Sequence, residues 1–301
     1  GKNVSKSSLA RANQDRDYHI FEEYAYYLVS EARQKCANHI FKLGGNVYAF
    51  DSTTIDLCLS VFWWAKFRKK KGGIKVHTLY DVETQIPAFF HITEASVHDS
   101  KVMIEIPYEP SSYYIFDRGY NNFKILYKIH QIEAYFVVRA KKNLGYKSIQ
   151  WKRRLPKNVL SDASVFLTGF YPKQYYPEPL RLVKYWDEEQ EREFTFITNA
   201  MHISALQVAE LYKNRWQVEL FFKWLKQHLK IKRFWGTTEN AVRIQIYAAI
   251  CAYCLVAIIQ HDMQLNRSTY EVLQILSISL TDKTHLRDLF DKTKFQNDKE
   301  R

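Results

Sequence analysis

From Leu206 to Arg233 the chain runs without a glycine or a proline. Its residues are mostly good helix formers, so the stretch predicts one long helix. A helix of that length has to bury a face, and its wheel shows which one. At about 100° per residue, with Glu219 at zero, Tyr212 falls near +20°, Arg215 near −40°, Lys226 near −20° and Lys230 near +20°. A phenol and three cations therefore flank one carboxylate along a single face. Val218, Phe221, Leu225 and Leu229 line another side and would dock on a core. The plain reading is a surface helix laced by pairs four residues apart, such as Arg215–Glu219. The chemical reading is a carboxylate set among groups suited to phosphate: Arg215 by two parallel hydrogen bonds, Lys226 and Lys230 as point charges.

Two upstream stretches carry an apolar run into an acid. Val47-Tyr48-Ala49-Phe50 leads to Asp51 and then to Ser52-Thr53-Thr54, which predicts a strand ending at the acid. Tyr113-Tyr114-Ile115-Phe116 leads to Asp117, then turns through Gly119 into a helix from Asn121 to Gln131. An acid at a strand end also serves as a turn or cap residue, so neither is diagnostic alone. Asp56 reads as structural. Ala134 to Arg139 predicts the next short strand, and Ile74–Tyr80 with Ile86–Ile92 a pair joined at Asp81–Thr84. His98 and Asp99 are adjacent and point in different directions, so Asp99 or Ser96 reads as the cap of a short helix. Lys141 to Asn199 changes character, with four prolines and short alternating runs. Leu180–Trp186 and Glu193–Thr198 predict a hairpin there, around the polar turn Asp187–Glu191.

With 301 residues, nearly half of them apolar, the chain can bury a sizeable core and is not a disordered one. Forty-four Lys and Arg against 32 Asp and Glu leave a net charge of +12, which favours an acidic partner such as nucleic acid. Lys66 to Gly73 concentrates that charge, as a solvated loop or as a phosphate contact. Four cysteines form no disulfide framework, which points to a reducing compartment, and Cys251-x2-Cys254 reads as core rather than zinc. The apolar run Ile244–Ile259 is short for a membrane span and suits a buried helix. Ser268-x-x-Glu271 reads as a capping box before a helix from Tyr270 to Leu280.

Tyr212-x2-Arg215-x3-Glu219-x6-Lys226, downstream of Asp51 and Asp117 in that order, resembles the Y-R-E-K signature of the insertion-sequence-four family of bacterial DDE transposases. Lys75, His77 and Asp81 are similar to a K-x-H-x3-D stretch of that family. Asp117-Arg118-Gly119-Tyr120 is similar to its second acid, and Asp282–Phe290 to its C-terminal end. The resemblance covers Val47 to Phe290. It implies an α/β fold: a ribonuclease-H-like mixed sheet with flanking helices, interrupted by a mostly β insertion before the helix carrying the third acid. The corresponding segments are a helical lead-in over 1–45, core over 46–140, insertion over 141–200, core again over 201–262, and C-terminal helices and tail over 263–301. Because the chain opens on Gly1, it reads as a fragment expected to lack the family's separate N-terminal DNA-recognition region.

The same resemblance implies that Asp51, Asp117 and Glu219 are catalytic and hold two Mg²⁺ ions, with Mn²⁺ able to substitute. Three hard carboxylates suit such a pair. It implies DNA contacts by Tyr212, Arg215 and Lys226; the helical wheel adds Lys230 as a further point charge and Trp216, at about +60°, which either stacks on an unpaired base or packs against the β insertion. The implied reaction is cleavage at transposon ends and transfer of the 3′-OH to target DNA. Double-stranded DNA is then the partner, with self-association in a synaptic assembly, no membrane, and a cytoplasmic location at the bacterial nucleoid. Two other readings remain: a ribonuclease-H-like nuclease that uses the same three acids without strand transfer and without needing Tyr212, Arg215 and Lys226 together, and an inactive DNA-binding remnant.

Overall fold

The computed structural model describes residues 4–37, 41–58, 60–68, 71–228, 234–267, 269–279 and 284–290. Lys230, Ser268, Lys69, Lys70 and the start of the Asp282–Phe290 stretch lie outside them. The chain divides into two compact units, residues 38–222 and residues 1–37 with 223–301. The N-terminal part of the second of these is a helix pair, α1 (Lys6–Asp15) and α2 (Tyr18–Lys35), each opened by a side-chain cap, Ser5 and Asp17.

Within residues 38–222 the elements follow as β1 (Val47–Leu57), β2 (Lys66–Arg68), β3 (Lys71–Asp81), β4 (Ile86–Glu94), α3 (Asp99–Val102), β5 (Tyr113–Phe116), α4 (Phe123–Gln131) and β6 (Tyr135–Arg139). Then come β7 (Tyr146–Trp151), β8 (Val159–Leu167), α5 (Phe170–Tyr175), β9 (Leu180–Asp187), β10 (Arg192–Thr198), α6 (Ala205–Lys213) and the start of α7 (Trp216–His228). The strands form one mixed sheet in the order β2, β3, β1, β5, β6, β10, β9, β8, β7, with β4 also pairing β3. The neighbours β1–β5 and β5–β6 are parallel, and the others are antiparallel.

Composition accounts for these placements. All four residues of β5 are buried, as an uninterrupted apolar run demands of a central parallel strand. A parallel neighbour needs a crossover, and α4 supplies it, with Asn122 as its cap and Ile125, Leu126 and Ile129 buried. The β3–β4 turn is held by Asp81, whose Oδ1 accepts from the amides of Glu83 and Thr84 at 3.0 and 3.1 Å. Farther along, Arg181 is 2% exposed and fully engaged: Nε and Nη2 donate to Asp162 at 2.8 and 2.7 Å, and Nη1 donates to the carbonyls of Ala200 and Ile203.

The long helix expected from Leu206 to Arg233 is broken. α6 opens on a full capping box, Ser204 with Gln207, and ends at Asn214. Asn214 Nδ2 donates to the Glu210 carbonyl at 2.9 Å, and the amides of Arg215, Gln217 and Val218 all bond three residues back. A short polar side chain competing for a helix carbonyl, together with a tightened turn, interrupts the helix where neither Gly nor Pro stands. Asp51 also departs from expectation. It is an interior residue of β1, because β3 stays paired with β1 through Leu57. The short helix α3 is capped by His98, not by Ser96 or Asp99.

The remaining elements, α8 (Glu239–Asp262) and α9 (Thr269–Ser279), belong to the other unit together with the end of α7. Among the described residues α8 is the one helix long and apolar enough to cross a membrane. In this unit it is the core helix: Ile246, Tyr247, Ile250 and Cys254 are buried, and it packs along α2. Tyr247 donates to Glu22, and Lys35 Nζ meets Asp262 at 2.5 Å. Cys251 and Cys254 are buried free thiols within it.

Candidate active site

The sheet register brings the first two acids together. β1 and β5 run parallel with Phe50 opposite Phe116, and their pairing stops there. Asp51 and Asp117 are the next residue on each strand, so they stand side by side. β6 pairs β5 with Val138 opposite Phe116, which puts Arg139 next in the same row. Its Nη1 lies 3.9 Å from Asp117 Oδ1. The row forms because parallel strands carry equivalent positions level with one another.

The break between α6 and α7 supplies the opposite wall. Tyr212, in the last turn of α6, donates its hydroxyl to Asp117 Oδ1 at 2.8 Å, while its ring packs on Phe196. Arg215, in the break itself, spreads its guanidinium between two acids: Nη1 to Asp51 Oδ2 at 2.7 Å and Nη2 to Glu219 Oε1 at 2.5 Å. Glu219 follows in the first turn of α7 and is 54% exposed, against 22% for Asp51. Thus Asp51, Asp117, Tyr212, Arg215 and Glu219 converge on one place. Lys226 belongs to the other compact unit, and Lys230 is outside the described residues. Trp216, 49% exposed, lines a cavity of about 820 Å³ with Arg139, Phe194, Tyr212, Arg215 and Glu219. The guanidinium groups of Arg192 and Arg139 lie over the Phe194 ring at 4.4 and 4.9 Å.

The electrostatics follow from this crowding. Burial pushes the Asp51 carboxyl up to about 6; Arg215 and the Ser52 amide pull it down, while Glu219 and Asp117 push it further up. Burial would raise Asp117 as well. The Arg118 amide, the Tyr212 hydroxyl, Arg215 and Arg139 outweigh it and hold Asp117 below the ordinary carboxylate range. Two neighbouring carboxylates are thus poised differently, as acid–base sites often require. Burial works against the Arg215 charge, but Asp51, Tyr212 and Glu219 more than restore it. Its Nε is buried without a partner among the described residues.

A second set of residues, not among the sequence's candidate site residues, surrounds Asp51 and its neighbour Ser52. Ser52 donates to Asp99 Oδ1 at 2.7 Å, Lys75 Nζ approaches the same oxygen at 3.1 Å, and the Tyr120 hydroxyl lies 3.5 Å from Asp51 Oδ1. His77 is fully buried beneath them, its pKa lowered to about 4 by burial, and bonds Thr93. Asp99, the first residue of α3, therefore ties the start of that helix to β1 rather than capping it. Only the pairing of Ser52 with His77 across β1 and β3 reveals this, and that is a register, not a motif. Arg139 did carry a sequence signal: it ends an apolar strand run, as Asp117 does.

The three carboxylates offer the hard oxygens that a divalent cation takes. Among the described residues, however, no three acidic, histidine or cysteine side chains are placed closely enough to hold an ion as they stand. The Arg215 guanidinium bridges Asp51 and Glu219, so one positive charge already lies between these two carboxylates.

Residues 42–255, which include all five converging side chains, match a family model described as a transposase DDE domain. The chain is 37% identical over 246 residues to "Putative transposase y4zB" of Sinorhizobium fredii, covering 79% of this chain and 67% of that protein. It is 27% identical over 249 residues to "Probable transposase for insertion sequence element IS5377" of Geobacillus stearothermophilus, covering 83% and 66%. Over 296 residues it is 25% identical to "Putative transposase for insertion sequence element IS4SA" of Synechocystis, covering 94% and 80%. The chain thus spans about two thirds of the length of the first two relatives. With most of its residues inside the matched domain, it belongs to the transposase DDE domain family, whose members are enzymes acting on DNA.

Proposed function

We propose that this chain is the catalytic core of a DDE transposase of the insertion-sequence-four type. Asp51, Asp117 and Glu219 are its acids, and Tyr212, Arg215 and Trp216 its nearest DNA contacts. Lys226 is assigned to the same DNA from the sequence signature, and Lys230 from its place on the same helical face of the wheel. The observation that carries this reading is the register of β1 and β5, which sets Asp51 beside Asp117, with Arg215 joining Asp51 to Glu219. A ribonuclease-H-like core over 46–140 and 201–262, with 141–200 inserted, is favoured by the antiparallel run β1, β3, β4. That run leads into the parallel neighbours β5 and β6.

The family implies a divalent metal, and the donor set favours Mg²⁺ with Mn²⁺ as a substitute. Bound there, the pair of ions would activate the attacking oxygen and stabilise the leaving one. The protein's own groups do the positioning. Tyr212 fixes one oxygen of Asp117, and the Ser52 amide fixes one of Asp51 at 2.8 Å. Arg215, once released from its carboxylates, holds a phosphate through two parallel N–H bonds. In the first step a water oxygen attacks phosphorus, the P–O3′ bond breaks, and the 3′ oxygen leaves with a proton. In the second that 3′-OH attacks a target phosphate, joining the ends and releasing a new 3′-OH. The substrate is double-stranded DNA, at transposon ends and target, and the working form is a multimer on DNA in a bacterial cytoplasm.

The test is an end-labelled duplex carrying the element's terminal repeats, incubated with Mg²⁺ or Mn²⁺ and a target duplex. The expected result is metal-dependent release of 3′ ends and their joining to target, both abolished in Asp51→Asn, Asp117→Asn and Glu219→Gln. Cleavage without joining would leave a nuclease. Metal-independent binding with no cleavage would leave a DNA-binding remnant.

A further inference from the structure

The terminal strand of the sheet, β7, carries an unusual charge. Between residues 141 and 157 there are seven cations and no acid, in a chain that has 32 acids to its 44 cations. Every residue of β7 except Ser148 is exposed, and so is each of the seven cations. β8 pairs one edge of β7, and among the described residues no strand pairs the other.

An exposed edge strand commonly carries a lysine or two that discourage another strand from pairing with it. Two features go beyond that need. Lys147, Arg153 and Arg154 have no acidic partner among the described residues, whereas Lys152 shares the buried Asp162 with Arg181 at 3.1 Å, and Lys157 meets Glu188 at 3.2 Å. The strand also exposes Ile149 and Trp151, at 53% and 58%, which a purely defensive edge would not. Cations interleaved with exposed aromatics are the mark of a surface for a nucleic-acid backbone.

The patch is continuous with the candidate active site. Lys141 and Lys142 line a cavity of about 310 Å³ together with Arg118, Arg139 and Lys184. Arg118 follows Asp117 directly, and Arg139 lies in the same row as Asp117. Glu193 is the single acid lining this cavity, and it is paired with Lys184 at 3.6 Å. Positive charge therefore runs from the row of acids to the sheet edge.

We propose that residues 141–157 form a track for the phosphate backbone of duplex DNA, leading from Asp117 to the free edge of β7. The proposal rests on the reading of the chain as a DNA-cleaving transposase core, and deepens it by naming where the DNA beyond the cleaved bond lies. The six residues of β7 span about 20 Å, which is about six base pairs of rise. Contacts of this kind are independent of sequence and respond to salt.

The experiment uses the full chain and a labelled duplex of unrelated sequence. Binding is measured across a salt series for wild type and for the triple variant Lys147→Gln, Arg153→Gln, Arg154→Gln. All three sites are exposed, and a thermal melt checks that the variant folds. The charge-keeping triple Lys147→Arg, Arg153→Lys, Arg154→Lys serves as the second variant. Each lost phosphate contact flattens the slope of log K against log salt by about 0.9, so the neutral triple is expected to lose up to about 2.7. The charge-keeping triple is expected to keep the wild-type slope. A folded neutral triple with unchanged slope, beside a wild type that binds and cleaves DNA, overturns the track and leaves the transposase reading standing. A neutral triple that alters oligomeric state but not DNA binding overturns it in favour of a second copy on the edge. A wild type that neither binds nor cleaves duplex DNA overturns both.

Discussion

Replacing Asp51 with asparagine should stabilise the metal-free protein at neutral pH while abolishing its chemistry. The Asp51 carboxyl is raised from 3.8 to about 6, chiefly by burial. The sign follows from linkage. A carboxyl with a raised folded-state pKa costs nothing below its unfolded value, and costs progressively more as pH rises from there to the folded value. The window is therefore between pH 3.8 and about 6. The full cost above it, about 2.2 pH units at about 1.36 kcal/mol each, is about 3 kcal/mol. Asparagine keeps the shape without the charge and escapes that cost. In chelator at about pH 7.5, Asp51→Asn should unfold at higher urea than wild type, in the transition of the 38–222 unit. The gap should close as pH falls below about 4. Added Mg²⁺ should close the gap and then reverse the order, because a ligand bound only by the folded wild type stabilises it, by about 4.1 kcal/mol at a thousandfold excess over Kd. If Asp51→Asn is the less stable protein in chelator at neutral pH, or if the two stabilities run parallel from about pH 4 to 8, the reading of a charge-strained site fails.

Tyr212→Phe removes the 2.8 Å hydrogen bond to Asp117. It should cost about 1–2 kcal/mol in urea unfolding and raise the Asp117 pKa, seen as an upward shift of its carboxyl resonance in a pH titration. Arg181→Ala leaves the 3%-exposed Asp162 carboxylate without its bidentate partner and should cost about 3–5 kcal/mol. Arg181→Met with Asp162→Leu should recover much of that loss, and a double-mutant cycle reads the coupling. Trp216→Ala should change stability by less than about 1 kcal/mol, since the ring is half exposed, yet weaken binding of a duplex with an unpaired end by about 1–3 kcal/mol.

Local pattern made much of the molecule legible. Apolar, β-branched runs marked β1, β5 and β6, and hydroxyl, acid and glycine residues marked the turns that follow. The spacing of Tyr212, Arg215 and Glu219 placed them on one side of a helical run. These are properties of neighbours in the chain, so periodicity reports them directly. Three other features were not carried by periodicity. The side-by-side placement of Asp51 and Asp117 is a matter of Phe50 lying opposite Phe116, and a one-residue slip would turn every side chain to the other face of the sheet. The break at Asn214–Arg215 lies in a stretch with no helix-breaking residue, where a side chain outcompetes the helix for a carbonyl. Asp99 found Ser52 and Lys75 instead of a cap because the β1–β3 pairing brought them within reach. The sequence by itself determined which carboxylates, phenol and guanidinium are available to the proposed chemistry, because charge, hydrogen-bonding groups and helix or strand preference are local. The tertiary structure alone decided that Arg215 joins two of the acids and that burial sets Asp51 apart from Asp117. Distance and desolvation exist only once the chain has closed on itself.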